Sequence, residues 1–276
     1  MKTISSETEK VFNNLRNYLS TLESAAVAWS GGVDSTLLLY IASTTPGLKL
    51  IAYTIKNVMI TEEEISSAVA IGKQFKINHQ IIDIDILSFK KVTENSHERC
   101  YHCKTIILNQ IISAASDHDI KTVLEGSHSG DDNDYRPGLK AISELGVISP
   151  LKKAGFDKNK IYELSDYFDL PTAQKETYPC LATRIPYGTP LTIELLQKAE
   201  QAEIILASFG FKNIRARIHG DILRIEIDKK MIPDIISSPL REKVCSALQK
   251  SGFTYITLDL QGYRTGSMNL KTGEHE

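Results

Sequence analysis

Apolar positions along the chain change period in a regular way. Val11, Leu15, Tyr18, Leu19 and Leu22 share one face at helical spacing, after a capping pair formed by Ser6 and Glu9. A short apolar run, Ala25 to Trp29, follows, then a glycine turn, then a second run, Leu37 to Ala42. That order predicts strand, turn and helix. Leu48 to Thr54 is β-branched and apolar and predicts a second strand. Thr61 with Glu64 caps a helix carrying Ile65, Ala68, Val69 and Gly72. His79 to Leu87 predicts a third strand, Cys103 to Ala115 a helix with Ile106, Ile107, Ile111 and Ile112 inward, and Val123 to Glu125 a short fourth strand. Strands alternating with helices imply right-handed crossovers and a parallel sheet flanked by helices, an α/β architecture. Beyond about residue 170 the pattern changes. Thr192 to Phe209 is an amphipathic helix. Ile214 to Ile218 and Ile222 to Ile227 flank the tight turn His219-Gly220-Asp221, a helix follows at Pro239 to Lys250, and Tyr255 to Leu260 is a last strand. Residues 1–170 and 171–276 are therefore expected as two domains, the second a smaller α+β unit.

Composition narrows the class. With 276 residues, 42% hydrophobic and 24% charged, the chain has the make-up of a soluble globular protein. The net charge of −2 gives no broad nucleic-acid footprint. No apolar run approaches the ~20 residues of a membrane span, and Met1-Lys2-Thr3-Ile4-Ser5 has no signal-peptide core, so a cytoplasmic location is expected. Four cysteines are too few for a disulfide framework and point to free thiols, metal ligands or catalysis. Cys245, in the helical run Val244 to Leu248, reads as a buried small hydrophobe.

Ser30-Gly31-Gly32-Val33-Asp34-Ser35 is the most informative segment. Paired glycines bring several backbone N–H groups toward an anion, the following helix adds its N-terminal dipole, and Ser30, Ser35 and Thr36 add hydroxyls. The segment is a phosphate cradle without the lysine of a Walker loop. It looks like the pyrophosphatase loop of enzymes that split ATP into AMP and pyrophosphate. Ligands of such sheets sit beyond the carboxyl ends of the strands, so Ser30, the strand end near Thr54 and the loop after Glu125 are expected to converge. In that loop Asp131 or Asp132 suits Mg²⁺ on pyrophosphate, and Arg136 and Lys140 suit phosphate or carboxylate. Arg215 and Arg217 alternate along one strand and so face one side, a plausible anion site. Glu203, Glu226 and Asp234 are a looser candidate cluster, against the plain reading of exposed carboxylates.

Cys100-Tyr101-His102-Cys103 is a C-x-x-C pair with several readings. Zinc needs four ligands, which His97, His102 and Cys180 would complete. An iron–sulfur cluster held by Cys100, Cys103 and Cys180 would leave one iron without a protein ligand. Three unconnected thiols are the plain alternative.

Taken together these motifs resemble the LarE-type ATP-dependent sulfur transferases of the pyrophosphatase-loop superfamily, over nearly the whole chain. The resemblance rests on Ser30 to Ser35, Arg99 to Lys104, Asp134 to Ala141, Pro179 to Gly188 and Leu258 to Asn269. It implies a Rossmann-like pyrophosphatase domain at 1–170 and a substrate-binding and assembly domain at 171–276. It implies that ATP and Mg²⁺ adenylate a carboxylate of a pyridinium mononucleotide, a nickel-pincer cofactor precursor, and that a sulfur nucleophile then displaces AMP. Ser30, Gly31, Gly32, Asp34 and Ser35 would bind the nucleotide, with Thr54, Asp131, Arg136 and Arg184 completing its surroundings. Arg215 and Arg217 would take the substrate phosphate, and Glu203, Glu226 and Asp234 match carboxylates that bind a divalent metal. Sulfur comes either from a 4Fe–4S cluster on Cys100, Cys103 and Cys180, the version expected here, or from Cys180 itself. A homo-oligomer, hexameric in relatives, is implied as well. Glu125-Gly126-Ser127-His128 departs from the Asp-Gly-x-Asn common in relatives, and Gly130 stands where an Asp is common. The competing readings are a tRNA thiolase of the same superfamily, an amide-forming ligase that needs no cysteine, and a nucleotide- or metal-sensing protein without turnover.

Overall fold

A computed structural model of the chain describes residues 2–133, 137–175, 178–264 and 266–268. The elements run α1 (Ser6–Leu19), β1 (Ser24–Ala28), α2 (Val33–Ser43), β2 (Lys49–Lys56), α3 (Glu62–Gln74), β3 (His79–Asp83), α4 (Lys90–Thr93), α5 (Arg99–Ser116) and β4 (Val123–Leu124). Then come α6 (Gly138–Glu144), α7 (Pro150–Ala154), α8 (Lys158–Tyr167), α9 (Ile193–Ser208), β5 (Arg215–His219), β6 (Ile222–Glu226), α10 (Ile232–Ile236), α11 (Leu240–Lys250) and β7 (Tyr255–Leu258). The chain divides into two compact units, Met1–Ile86 with Glu98–Thr177, and Leu87–His97 with Tyr178–Glu276.

In the first unit four strands form a parallel sheet in the order β3-β2-β1-β4. The chain reverses direction of growth at β1, and in such sheets that switch point is where a ligand crevice opens. Ala25, Ala26 and Val27 of β1 are wholly buried, as a strand covered by helices on both faces requires. The core gathers Leu15 and Leu19 of α1, Leu37 to Leu39 of α2, Trp29, and Ile161 and Leu164 of α8. Helix starts follow local chemistry. Thr61 accepts from the Glu64 N–H at 3.3 Å as expected, whereas α1 is capped by Ser5, one residue before the expected Ser6. The reason lies outside the helix: Glu163 of α8 accepts from the Ser5 N–H at 2.5 Å and holds that residue extended. Helix α5 begins at Arg99 rather than Cys103, so both cysteines of the C-x-x-C pair lie in its first turns.

The second unit holds a three-stranded sheet, β5-β6-β7, with β5–β6 antiparallel and β6–β7 parallel. Ala216, Ile218, Leu223 and Ile225 bury their side chains, with Leu196, Ala199 and Leu206 of α9 and Val244 and Leu248 of α11 in the same core. Cys245 is half-buried rather than buried. Residues 87–97 belong to this unit although they interrupt the first in sequence. Asn95, fully buried, donates to the carbonyls of Pro186 at 2.8 Å and Thr189 at 2.9 Å, and the Gly188 N–H donates back to the Asn95 carbonyl at 3.0 Å. Among the described residues no helix is long and apolar enough to cross a membrane.

Candidate functional site

In the first unit the glycine turn stands between the carboxyl end of β1 and the start of α2. Gly31 has φ +73°, a conformation that a residue with a Cβ rarely adopts. Gly32 is the N-cap of α2 and brings no side chain to the first-turn N–H groups, which leaves them to a ligand. The Ser30 and Ser35 hydroxyls are 3.0 Å apart across the turn, and the Ser35 hydroxyl also donates to the Gly32 carbonyl at 3.3 Å. Asp34, in the first turn of α2, pairs with Lys158 at 2.6 Å. The Lys175 ammonium donates to the Gly31 carbonyl at 3.1 Å.

The loop after β4 closes on the same place. A Cβ on Gly126 would lie 2.9 Å from the Ser35 nitrogen and 3.0 Å from its Cα, both backbone atoms. Only glycine allows this approach, so Gly126 fixes the spacing between the Glu125–Asp131 loop and the mouth of α2. Glu125 is buried and accepts from the Ser127 N–H at 2.9 Å and the Ser127 hydroxyl at 2.8 Å. Asp131, also buried, accepts from the His128 N–H at 2.9 Å, with the His128 ring 3.5 Å from its other oxygen. The loop after Glu125 thus meets the glycine turn at Ser35, whose hydroxyl lies 3.0 Å from that of Ser30. Arg136 lies outside the described residues.

Thr54 is present but turned inward. Its hydroxyl donates to the Trp29 carbonyl at 2.8 Å and lies 2.9 Å from His79 Nε2. Trp29 Nε1 in turn donates to Thr36 at 3.0 Å. Thr54 therefore holds the strand that carries the glycine turn, and its hydroxyl has no lone proton for a ligand.

Cys100 and Cys103 are half-buried on α5. An Arg99 guanidinium nitrogen lies 3.7 Å from Cys100 Sγ. A cleft of about 280 Å³ is lined by Cys100, Lys104, Ser127, Gly138 and Leu139, and Lys104 is 3.9 Å from a Glu125 oxygen. The cleft brings the first cysteine beside the loop that closes on α2.

The second unit carries an arginine-rich cluster around Cys180. Arg184 is fully buried; its Nε and Nη2 donate to the two oxygens of Glu203 at 2.8 and 2.9 Å, and its Nη1 to the Pro179 carbonyl at 2.7 Å. Glu203 also accepts from the Ala216 N–H at 2.9 Å and from the Tyr178 hydroxyl. Burial, reinforced by the Glu203 charge, pushes the Tyr178 phenol far above its ordinary range. The Arg215 guanidinium lies over the Tyr178 ring at 5.2 Å and over the Tyr263 ring at 4.7 Å. Arg217 donates to Glu226 at 3.0 Å, to the Thr183 carbonyl at 2.8 Å and to Ser267 at 3.1 Å, while its buried Nε has no hydrogen-bond partner among the described residues. Burial holds the Arg217 guanidinium below its ordinary range. A buried guanidinium donor of this kind suits a hydrogen bond to a water or an anion.

Two expected roles meet other partners in the structure. Arg184, expected beside the nucleotide, has no exposed surface, holds Glu203 through two nitrogens and donates to the Pro179 carbonyl next to Cys180. Glu203, Glu226 and Asp234 were expected as a divalent-metal set. Glu203 neutralises Arg184, Glu226 neutralises Arg217 and Arg224, and Asp234 is exposed on α10. Among the described residues no group of three or more His, Cys, Asp or Glu side chains is gathered to hold a metal. Cys100 and Cys103 belong to the first unit and Cys180 to the second. Residues at these sites that the sequence did not single out are Lys158, Lys175, Tyr178 and Asn95. Lysines on a helix start or loop carry no local signal, and only the tertiary fold brings them to the glycine turn.

Comparison with known proteins follows the same lines. Residues 24–99 match the family model described as Queuosine biosynthesis protein QueC. Over 252 residues the chain is 36% identical to the pyridinium-3,5-bisthiocarboxylic acid mononucleotide synthase of Lactiplantibacillus plantarum, covering 91% of each chain. It is 33% identical over 261 residues to an uncharacterised protein of Synechocystis, covering 95% of this chain and 97% of that one. An uncharacterised protein of Methanocaldococcus jannaschii is 28% identical over 256 residues, with 93% and 96% covered.

Proposed function

The chain belongs to the family of the pyridinium-3,5-bisthiocarboxylic acid mononucleotide synthases, the LarE type of pyrophosphatase-loop enzyme, and from that premise we propose that it is an ATP-dependent, AMP-forming sulfur transferase acting on a carboxylate of a pyridinium mononucleotide. The observation that carries this reading is the uncapped start of α2 at Gly31 and Gly32, with the Gly126 backbone packed against it. A carboxylate oxygen attacks the α-phosphorus of ATP, the bond from that phosphorus to the bridging oxygen breaks, and pyrophosphate leaves with the electron pair. A sulfur nucleophile then forms a bond to the carbonyl carbon and expels AMP: sulfide leaves a thiocarboxylate directly, whereas Cys180 leaves a thioester whose Cβ–S bond breaks, with loss of the cysteine α-proton, to give the thiocarboxylate and dehydroalanine. Activation divides a hard substitution into two easier ones.

Ser30, Gly31, Gly32, Asp34 and Ser35 cradle the phosphates, and Asp131 supplies a buried carboxylate for Mg²⁺, whose role is to neutralise phosphate charge. The second unit serves the substrate: Arg215, held between two tyrosine rings, and Arg217, with its orphaned Nε, receive the substrate phosphate. Cys180 is the sulfur-bearing position. In the fuller version Cys100, Cys103 and Cys180 would hold a 4Fe–4S cluster, which would supply a renewable sulfide. Cys100 and Cys103, three residues apart in the first turns of α5, suit two of its ligands. Among the described residues no three-ligand group is gathered. A cytoplasmic homo-oligomer completes the reading.

The test is anaerobic incubation with ATP, Mg²⁺ and pyridinium-3,5-dicarboxylic acid mononucleotide. Pyrophosphate, AMP and a product in which oxygen is exchanged for sulfur are expected. Pyrophosphate without any sulfur-bearing product, despite intact thiols or bound sulfide, would sink it. Iron and acid-labile sulfide in oxygen-free protein separate the two sulfur sources: about four of each per chain indicates the cluster, and none indicates Cys180 as a consumed donor.

A further inference from the structure

A Walker loop carries its own lysine to the β- and γ-phosphates, and this glycine turn has none. Two lysines reach the turn from elsewhere in the first unit. Lys158, at the start of α8, is already matched: Asp34 lies 2.6 Å away and the Tyr162 ring 5.1 Å away. Lys175, in the segment after α8, differs. Its ammonium donates to the Gly31 carbonyl at 3.1 Å and lies 4.0 Å from where a Gly31 Cβ would stand. Among the described residues it forms no ion pair. An ammonium half-exposed at the apex of this turn, held by a carbonyl and paired with no carboxylate among the described residues, can turn its charge to a ligand.

We propose that Lys175 replaces the missing loop lysine, moving from the Gly31 carbonyl onto the β-phosphate side of ATP and stabilising the departing pyrophosphate. The assignment rests on the adenylation reading above and deepens it. As the α-phosphorus gains its bond to the carboxylate and loses its bond to the bridging oxygen, negative charge grows on that oxygen and its pyrophosphate. A preplaced ammonium favours this state more than the ground state. Lys175 transfers no proton; it acts by charge. The Gly31 carbonyl is its resting partner and sets its reach.

The test compares the full-length protein with Lys175→Ala, Lys175→Gln and Lys175→Arg. Gln keeps a donor for the Gly31 carbonyl without charge; Arg keeps the charge in another shape. Binding of inorganic pyrophosphate with Mg²⁺, and separately of AMP, is measured by calorimetry, and pyrophosphate release is followed during turnover. Lys175→Ala and Lys175→Gln should each lose roughly 10²-fold in kcat for pyrophosphate release, the size seen when one preorganised donor to a developing charge is removed. Pyrophosphate affinity should fall with it, AMP affinity should stay level, and Lys175→Arg should recover most of both. Wild-type pyrophosphate binding in Lys175→Gln overturns the proposal, and so does equal loss of AMP and pyrophosphate, which marks a merely structural brace. If the wild type releases no pyrophosphate with the pyridinium substrate while Lys175 still governs pyrophosphate binding, the lysine assignment stands and the substrate reading falls.

Discussion

Whether His79 carries a proton decides what the Thr54 hydroxyl can do. That hydroxyl spends its proton on the Trp29 carbonyl at 2.8 Å, so at 2.9 Å it can only accept from His79 Nε2–H. The neutral imidazole therefore keeps its proton on Nε2, and a second proton would go to Nδ1. There the ring packs so closely on Gly72 that a Cβ on that residue would stand 3.0 Å from Nδ1, and the Trp29 ring lies 4.8 Å away in an edge-to-face arrangement. Burial accordingly pushes the His79 imidazolium below its ordinary 6.5. The unfolded chain then binds the extra proton more readily, so this group's contribution is complete above about pH 6.5 and is lost as pH falls toward the folded value. Denaturant unfolding between about pH 5 and 8, where histidine titrates, should show wild type losing stability on acidification more steeply than His79→Gln. His219 is lowered as well, by burial and then by Arg224 and Arg217, so only the difference between the two curves reports on His79. Parallel curves would refute the argument.

At the scale of elements, the glycine turn shows what a one-dimensional pattern carries and what it does not. The strand-turn-helix order around Ser30 to Ser35 was legible because each part has a local signal: an apolar run, paired glycines, a second apolar run. The reading of α3 was good for the same reason, with its cap inside its own sequence at Thr61. The start of α1 was read one residue late, where Ser5 caps Thr8 and is held by the distant Glu163, and α5 starts at Arg99, four residues before the expected Cys103, with no side-chain cap to mark it. The role of Gly126 was hidden entirely. Nothing in Glu125-Gly126-Ser127 says that a backbone nitrogen of α2 lies where a Cβ would go. The Gly126→Ala variant tests that contact: a methyl 2.9 Å from the Ser35 nitrogen forces backbone apart, since no flexible side chain is there to yield. ATP-dependent pyrophosphate release should drop by at least about tenfold, as expected when small displacements misplace reacting groups. The circular dichroism spectrum should stay native. Unchanged release would mean that the two loops do not act as one site.

For the whole molecule, the change of pattern near residue 170 is real in the sense that the later strands form their own sheet, yet the division is not a single cut. Residues 87–97 return to the later unit through Asn95, a buried polar side chain whose partners, Pro186 and Thr189, are about ninety positions away. No periodicity encodes such a return. The glycine turn belongs to one unit and Cys180, with its arginines, to the other, so the proposed function divides its chemistry along the same line. Substitutions should therefore separate the half-reactions. Cys180→Ala removes the sulfur-bearing position while leaving the glycine turn intact, so pyrophosphate release should continue near the wild-type rate for one turnover as sulfur transfer disappears. Asp34→Ala removes a first-turn carboxylate of α2 and frees Lys158, so both half-reactions should fall together, because without an adenylate there is nothing for sulfur to attack. Single-turnover assays of pyrophosphate and of thiocarboxylate on both variants distinguish these patterns. Full sulfur transfer by Cys180→Ala would show that the sulfur route runs elsewhere, and loss of pyrophosphate release in that variant would show that the two units cannot be assigned separate steps.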